Sequence, residues 1–106
     1  MPECNPSSPA RLIALAAGVL PDIYLLSDEC CVLGRSPGCH VVIRHALTSR
    51  QHARIERHGL SYIVRDSGSA NGTFVNAERV AQLRVLEDCD LIGLGSPDAM
   101  LQFRMK

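Results

Sequence analysis

The sequence has little of what nucleic-acid-binding and membrane-binding proteins use. It contains no tryptophan, two tyrosines and two phenylalanines, and its formal net charge is zero at pH 7. Non-specific binding to nucleic acid or to an anionic membrane requires a basic excess, and single strands stack on aromatic rings. A local run at 44–58 holds four arginines and three histidines against one glutamate, but no lysine. We therefore predict neither a nucleic acid nor a membrane as partner, and any anion site has to be local.

Paired cysteine motifs are also missing. The five cysteines are an odd number and no Cys-x-x-Cys spacing occurs, so neither a disulfide framework nor a zinc cage is indicated. We predict free, buried or half-buried thiols, a cytoplasmic location, no cofactor and no metal, with Cys30 and Cys31 on opposite faces of one strand. A metal site is an alternative, although the spacings do not place its ligands on one face of a regular element. Those ligands would be Cys39, His40, His45, His52 and His58.

No apolar run is long enough to cross a membrane as a helix. The longest, 12–20, has about half of the roughly 20 residues that a span needs. Residues 1–9 are polar and broken by prolines, unlike a signal peptide. The 106 residues fit one domain. Three prolines and two serines in residues 1–10 predict a flexible leader, and residues 11–106 predict the folded domain.

What the sequence does contain is a series of short apolar runs. About ten or eleven segments are typical of strands, with turn signals between them and no amphipathic stretch long enough for a helix. This pattern predicts an all-β sandwich or barrel. The alternation at 53–57 and 61–66 predicts a hairpin. Asn71-Gly72 is the strongest turn signal, because both residues tolerate a positive φ at little steric cost.

Three polar clusters fall at the ends of predicted strands, at 34–36, 48–52 and 69–76. The guanidinium of Arg35 suits phosphate or carboxylate, and the hydroxyl of Ser49 can donate to an oxygen of such an anion. We expect His52 to brace its loop, and Asn71 in the left-handed conformation to leave its amide free for the backbone of an extended peptide. Taken singly, each of these residues also has a plainer explanation as a surface or turn residue.

Taken together and in order, these clusters resemble the forkhead-associated (FHA) domain. The resemblance runs from about residue 11 to the end and rests on residues 33–36 (LGRS), 49–53 (SRQHA), 66–76 (DSGSANGTFVN) and 88–95 (DCDLIGLG). It implies an FHA-like β-sandwich of about eleven short, mostly antiparallel strands, whose loops at one end bind phosphothreonine in an extended peptide. It also implies a non-catalytic signalling module, a phosphothreonine-containing protein as partner and a serine/threonine kinase upstream.

The resemblance gives roles to single positions. Arg35 matches the arginine that contacts the phosphate, and Ser49 matches the serine that hydrogen-bonds it. Arg50 stands at a variable polar position that often joins the phosphate site, and Asn71 matches the asparagine that bonds the peptide backbone. A further set matches residues that hold the binding loops in shape, namely Gly34, His52 and Gly72.

Three positions depart from the family pattern. Ala70 replaces the usual threonine or serine before Asn71, which removes a hydroxyl beside the site, and Ala77 and Cys89 replace glycines of turns. Leu47 lies near where the family reads the third residue after the phosphothreonine. An apolar side chain there favours an apolar or indifferent peptide residue over an acidic one. We expect Leu47 to bear on specificity and Ala70 on affinity.

Two other functions stay open at this stage. An enzyme would use Ser49 as nucleophile and His52 as base, but no Gly-x-Ser-x-Gly turn is present and no third carboxylate stands out to orient the histidine. We therefore predict no enzymatic activity. The second alternative is an FHA-like domain that binds an unphosphorylated protein partner or associates with itself, through the face of the sandwich away from the loops.

Overall fold

The computed structural model describes residues 10–27 and 29–105, and the elements within them are all strands. In chain order they are β1 (Arg11–Ala14), β2 (Val19–Leu20), β3 (Ile23–Leu25), β4 (Cys30–Gly34), β5 (Val41–Ile43), β6 (Ala53–His58), β7 (Ser61–Asp66), β8 (Thr73–Val75), β9 (Glu78–Arg79), β10 (Leu83–Val85), β11 (Leu91–Leu94) and β12 (Leu101–Arg104). This described part of the chain contains no helix that could cross a membrane.

The strands form two six-stranded sheets that pack as a sandwich. One sheet has the order β3-β1-β12-β11-β8-β9 and the other has the order β10-β7-β6-β4-β5-β2. Neighbouring strands of the described residues are antiparallel, except that β4 and β5 are parallel. The predicted β-sandwich is confirmed. The twelve strands exceed the expected eleven or so, because two-residue strands such as β2 form only through long-range pairs, here Val19 with Ile43.

Alternate residues of both sheets face inward and form the core. Phe103 of β12 is fully buried, and its ring centroid lies 5.5 Å from that of Tyr62 on β7 in the opposite sheet. Burying each large apolar side chain contributes about 1.5–3 kcal/mol. Other core residues with almost no exposed surface are Leu12, Leu33, Val41, Ile43, Ile55, Val64, Val75, Ile92, Leu94 and Leu101. This rigid core fixes the strand ends from which the polar loops leave.

Strands β6 and β7 form the predicted hairpin, in register from Ala53 opposite Asp66 to His58 opposite Ser61. The first arm runs one residue further than the alternation predicted. Gly59 closes the turn with a φ of 64°. Local alternation and a glycine therefore sufficed to predict this element.

A second hairpin with a two-residue turn joins β8 and β9. Val75 pairs with Glu78 across the two-residue turn Asn76-Ala77, in which both φ angles are positive, at 51° and 69°. A turn with two positive φ angles matches the twist of the strands that it joins. Cys89 also has a positive φ, at 74°. Ala77 and Cys89, the two residues that replace family glycines, thus occupy backbone conformations that favour glycine.

The predicted leader, residues 1–10, lies outside the described residues except for Ala10. Ala10 is buried, and its carbonyl accepts a hydrogen bond of 2.8 Å from the Leu26 amide. Cys30 is exposed and Cys31 is buried, as strand alternation predicted. The prediction of buried or half-buried thiols is wrong for Cys30 and for Cys89, which is also exposed.

Candidate functional site

Three loops carry the predicted site residues: the β4–β5 loop (35–40), the β5–β6 loop (44–52) and the β7–β8 loop (67–72). The first two are joined backbone to backbone, since the Arg35 amide donates to the Ser49 carbonyl at 3.0 Å and the Ser36 amide to the Arg50 carbonyl at 3.1 Å. Gly34 makes this approach possible, because a Cβ there would lie 2.1 Å from the Arg50 carbonyl oxygen. The loops of Arg35 and Ser49 are therefore held at the same end of the sandwich.

The side chain of Arg35 is exposed but oriented. Its Nε donates to the carbonyl of Thr48 at 3.0 Å, which uses one of the five guanidinium N–H groups. Thr48 is itself fixed, since its buried hydroxyl donates to the Leu94 carbonyl at 2.7 Å. A guanidinium held through Nε presents its outer edge to solvent, where a phosphate or carboxylate can be bound.

Ser49 joins the second loop to the third. Its Oγ accepts a hydrogen bond of 3.3 Å from the Ala70 amide. The hydroxyl proton can therefore still be donated to an anion, because a hydroxyl both donates and accepts. Arg50 follows it with an exposed side chain, and Ala70 is exposed as well.

His52 is fully buried between the second and third loops. Its Nδ1 accepts from the Ser49 amide at 2.9 Å, and Nε2 lies 2.7 Å from the Gly72 carbonyl oxygen. An Nδ1 that accepts and a carbonyl partner at Nε2 together require a neutral ring protonated at Nε2. Burial lowers the pKa of His52, against the opposing effects of the Gly72 bond and the Asp66 charge. The neutral imidazole therefore couples the two loops.

Asp66, which the sequence analysis did not single out, organises the β7–β8 loop. Its Oδ2 accepts from the Gly68 and Ser69 amides, and its Oδ1 accepts from the hydroxyls of Ser69 at 2.6 Å and Thr73 at 2.7 Å. Partial burial raises the pKa of this carboxyl, but the four hydrogen bonds outweigh it and the net pKa is lowered. Aspartate followed by serine and glycine is a known turn pattern, so the sequence did carry this signal.

The Asn71-Gly72 turn differs from the prediction in one respect. Gly72 has a φ of 91°, but Asn71 is not in the left-handed region. Its Nδ2 donates to the Leu47 carbonyl at 3.0 Å, so the amide is not free but ties its loop to the exposed Leu47. The prediction of a left-handed Asn71 with a free amide is therefore wrong. A second N–H and the amide oxygen can still bond a peptide backbone.

Arg79 on β9 was also missed, and it lies beside the same turn. A Cβ added to Gly72 would lie 2.8 Å from the Arg79 Nε and 3.0 Å from its Cζ. Arg79 is exposed. No local pattern predicts this neighbour, because β9 reaches the turn only through its pairing with β8.

The structure thus brings Arg35, Leu47, Ser49, Ala70 and Asn71 into one group of contacting loops, with Arg50 and Arg79 exposed beside them. The alternative metal ligands do not meet. His40 Nδ1 accepts from the Val32 amide and His58 lies 3.1 Å from Glu56 on the hairpin. Within residues 10–27 and 29–105, no three His, Cys, Asp or Glu side chains are arranged to hold a metal ion.

Comparison with known proteins agrees with this architecture. The family model of the FHA domain matches residues 31–95. The oxoglutarate dehydrogenase inhibitor of Corynebacterium jeikeium is 34% identical over 93 residues, which are 88% of this chain and 64% of that protein. The chain thus spans less than two thirds of that relative's length.

Solved structures give the same result. EmbR of Mycobacterium tuberculosis, in complex with a low-affinity phosphopeptide, superposes with a TM-score of 0.81 and 30% identity, over 93% of this chain and 25% of EmbR. A structure from work on phosphothreonine-dependent FHA domain interactions superposes with a TM-score of 0.79 and 28% identity, over 92% of this chain and 96% of the other. The chain belongs to the FHA domain family.

Proposed function

We propose that this domain is a non-catalytic module that recognises phosphothreonine peptides in serine/threonine kinase signalling in the cytoplasm. Its relatives support this, because EmbR is seen with a phosphopeptide and another FHA domain structure concerns phosphothreonine-dependent interactions. A relative is named as an enzyme inhibitor, which fits a module that acts by binding. The cytoplasmic location rests on the free thiols of the four described cysteines.

The observation that carries the proposal is the contact between the loops of Arg35 and Ser49. One guanidinium, held through Nε by the Thr48 carbonyl, lies beside a loop with a hydroxyl that can donate. A phosphothreonine carries about −1.5 to −2 charge and three acceptor oxygens, which this pair and the exposed Arg50 can satisfy. The positive charge is local, since the net charge of the chain is zero.

The other predicted residues take supporting roles in this proposal. Asn71 bonds the peptide backbone while its Nδ2 stays on Leu47, and Gly34, His52 and Gly72 keep the three loops together. Leu47 is 48% exposed beside Asn71 and bears on the choice of a downstream peptide residue. Ala70 contributes its amide to Ser49 but no hydroxyl, so affinity rests on fewer side-chain donors than in a typical member.

The contacts of His52 support a role without catalysis. Both of its ring nitrogens are bonded to backbone groups, and its partner in residue 49 is the amide nitrogen and not the hydroxyl. A general base has to reach the proton that it abstracts. His52 therefore has no free nitrogen to activate Ser49.

The test is calorimetric titration with three peptides of one sequence that carry phosphothreonine, phosphoserine or plain threonine. We expect binding of the phosphothreonine peptide only, weakened more than about 10-fold by Arg35→Ala, because each charged hydrogen bond contributes about 1.5–3 kcal/mol. Arg57→Ala is the matched control, since Arg57 is exposed on the β6–β7 hairpin and bonds the Gly59 carbonyl. Equal binding of the plain threonine peptide would overturn the proposal.

A further inference from the structure

The segment from residue 15 to residue 25 exposes an unusual amount of apolar surface. Eight large hydrophobic side chains of the described residues are exposed, and four of them lie here: Leu15 at 48%, Leu20 at 45%, Ile23 at 57% and Leu25 at 53%. Single exposed hydrophobic residues are common, whereas exposed apolar residues that adjoin on one face mark interaction surfaces. Two of the four, Ile23 and Leu25, alternate along the edge strand β3.

Strand β3 is also open along its backbone. Among the described residues it pairs only with β1, with Ile13 opposite Ile23, Leu12 opposite Tyr24 and Arg11 opposite Leu25. The Ala14 amide donates to the Asp22 carbonyl and the Leu26 amide to the Ala10 carbonyl. In an antiparallel pair, residues bond the neighbour alternately. Residues 22, 24 and 26 thus bond toward β1, and the N–H and C=O groups of Ile23 and Leu25 point away from the sheet.

We propose that β3 pairs with β3 of a second copy of this chain, antiparallel and about a two-fold axis through Tyr24. That register sets Ile23 opposite Leu25 of the second copy, and Leu25 opposite its Ile23. The two residues whose backbone groups point outward become hydrogen-bonded pairs, which gives four hydrogen bonds in all. The same pairs bring apolar side chains together across the strands. The two six-stranded sheets then continue as one twelve-stranded sheet.

Self-complementarity favours a second copy over a different partner. A two-fold interface requires one surface to match itself, and Ile23 with Leu25 does so because both are aliphatic and both are about half exposed. The nearest acid, Asp22, falls opposite Leu26 of the second copy, so no like charges are opposed. Natural edge strands are commonly protected by charged residues within them, and β3 has none. The zero net charge of the chain also leaves no long-range repulsion between copies.

The proposed interface leaves the candidate phosphopeptide site accessible. Strand β3 is one edge of its sheet, and β8 and β9, which carry the Asn71-Gly72 turn and Arg79, are at the other edge. A dimer would therefore present two separate binding sites, which would increase avidity for a doubly phosphorylated partner. The dimer does not depend on the proposed function, and either can fail without the other.

Sedimentation equilibrium of the full chain tests the proposal. The paired strands are short and bury less than a standard interface, so we expect a weak dimer with a dissociation constant on the order of 100 μM. The average mass should rise from 11.5 kDa toward twice that value as the concentration increases. A mass that stays monomeric up to about 1 mM would overturn the proposal.

Two variants and one control place the interface on β3. Ile23→Lys adds a charge to the proposed interface. Leu25→Pro removes an N–H that points outward and makes no hydrogen bond to β1. Both variants should therefore abolish the concentration dependence of the average mass. Leu60→Lys changes the most exposed large hydrophobic residue among those that the structure describes, 89% exposed in the β6–β7 turn, and should leave the concentration dependence unchanged. Thermal unfolding of each variant verifies that the fold is kept. Dimerisation that survives Ile23→Lys, or that Leu60→Lys abolishes equally, would exclude this interface.

Amide hydrogen exchange gives a readout that does not need a variant. The Tyr24 amide, bonded to β1, should be protected at every concentration, whereas the Ile23 and Leu25 amides should become protected only when the dimer forms. Protection of Ile23 and Leu25 in dilute monomer, or its absence at high concentration, would contradict the pairing.

Discussion

The imidazole of His52 makes the site sensitive to protonation at a single residue. Nδ1 accepts the Ser49 amide, so a proton there would place two N–H groups against each other and release the loop. Burial keeps the ring neutral and lowers its pKa below the ordinary value of 6.5. Acid therefore acts on the connection between the loops through this one imidazole.

The stability of the protein should fall as the pH drops below 6.5. In that range the unfolded His52 takes up a proton that the folded residue does not, so the free energy of unfolding decreases by at most about 1.4 kcal/mol per pH unit, until the folded pKa is reached. Well above pH 6.5, His52 is neutral in both the folded and the unfolded protein, so it adds no further pH dependence to the free energy of unfolding. Urea unfolding between pH 7.5 and 5 measures the slope.

His52→Gln is the control, because glutamine does not titrate. The variant should be less stable at pH 7.5 and should show a shallower pH dependence. The carboxyls of Glu56 and Asp88 have their pKa lowered to about 2, so their contributions are lost only below their ordinary values of 4.5 and 3.8. An unchanged slope in His52→Gln would contradict the assignment to this histidine.

Replacing Ala77 or Cys89 by glycine should stabilise the protein. Each holds a positive φ, which costs a non-glycine residue about 1–2 kcal/mol, and glycine loses part of that gain through the entropy of the unfolded chain. We expect Ala77→Gly and Cys89→Gly each to raise the free energy of unfolding by about 0.5–1 kcal/mol. Chemical denaturation measures the change. Ala81→Gly, at an exposed position without a positive φ, should lower it instead.

For single residues, the family pattern and local turn chemistry predicted special backbone conformations and roles in the site. The resemblance identified Ala77 and Cys89 as replaced glycines, and both have the positive φ that explains the usual residue. It did not predict Arg79, whose position beside Gly72 depends on strand pairing. The turn pattern at Asp66 is local, but its bond to the Thr73 hydroxyl depends on how the whole β7–β8 loop folds.

At the scale of elements, the loops pack backbone against backbone with no room for a side chain. The Gly34 Cα faces the Arg50 carbonyl, and the Arg50 oxygen also accepts from the Cys39 thiol at 3.2 Å. Gly95 is similar, since a Cβ there would lie 2.3 Å from the Leu47 carbonyl oxygen. The β5–β6 loop is thus fixed between glycines of two other elements.

Gly34→Ala should damage both stability and binding. The new methyl group would meet a backbone oxygen that cannot rotate away, so we expect a loss of about 2 kcal/mol or more in the free energy of unfolding. Binding of the phosphothreonine peptide should weaken because Arg35 and Ser49 separate. Urea unfolding and titration calorimetry measure the two effects.

Gly38→Ala in the same β4–β5 loop is the matched control. A Cβ there would meet only the Ser36 hydroxyl at 3.7 Å, an ordinary contact. The variant should remain within about 0.5 kcal/mol of the original protein. Comparable losses in the two variants would show that the close approach at Gly34 is not the cause.

Elements with local signals were predictable and those held by distant pairs were not. The β6–β7 hairpin follows from alternation and Gly59. Strand β2 has only two residues and forms through its pairing with β5. The Arg44 amide, just after β5, also donates a hydrogen bond to the carbonyl of residue 18, just before β2. No pattern within residues 16–20 carries that information.

For the whole molecule, a zero net charge conceals an uneven distribution of charge. Arg35, Arg50 and Arg79 are exposed around the candidate site, whereas Glu56 is bonded to Arg54, Arg65 and His58 on the hairpin. Clustered positive charge accelerates the approach of an anionic ligand even when the total is zero. Composition alone could not reveal this.

Arg79→Ala should weaken binding of the phosphothreonine peptide about 2–5-fold, mainly through a slower association rate, because a charge at the rim of a site steers the ligand. The effect should shrink as salt is raised, since exposed charges are screened. Stopped-flow measurements at low and high salt test this. Arg57→Ala removes an equal charge on the hairpin, and an equal effect there would leave Arg79 no special role.

The chain has two threonines, Thr48 and Thr73, and both are buried with their hydroxyls bonded, one to Leu94 and the other to Asp66. A kinase requires an accessible hydroxyl, and a phosphate at either position would put a double negative charge into the core. Under the proposed function, the folded domain therefore cannot become its own ligand through these residues. Self-association would then use a different chemistry, such as the proposed β3 edge, and the phosphothreonine of the proposed function would come from outside these 106 residues.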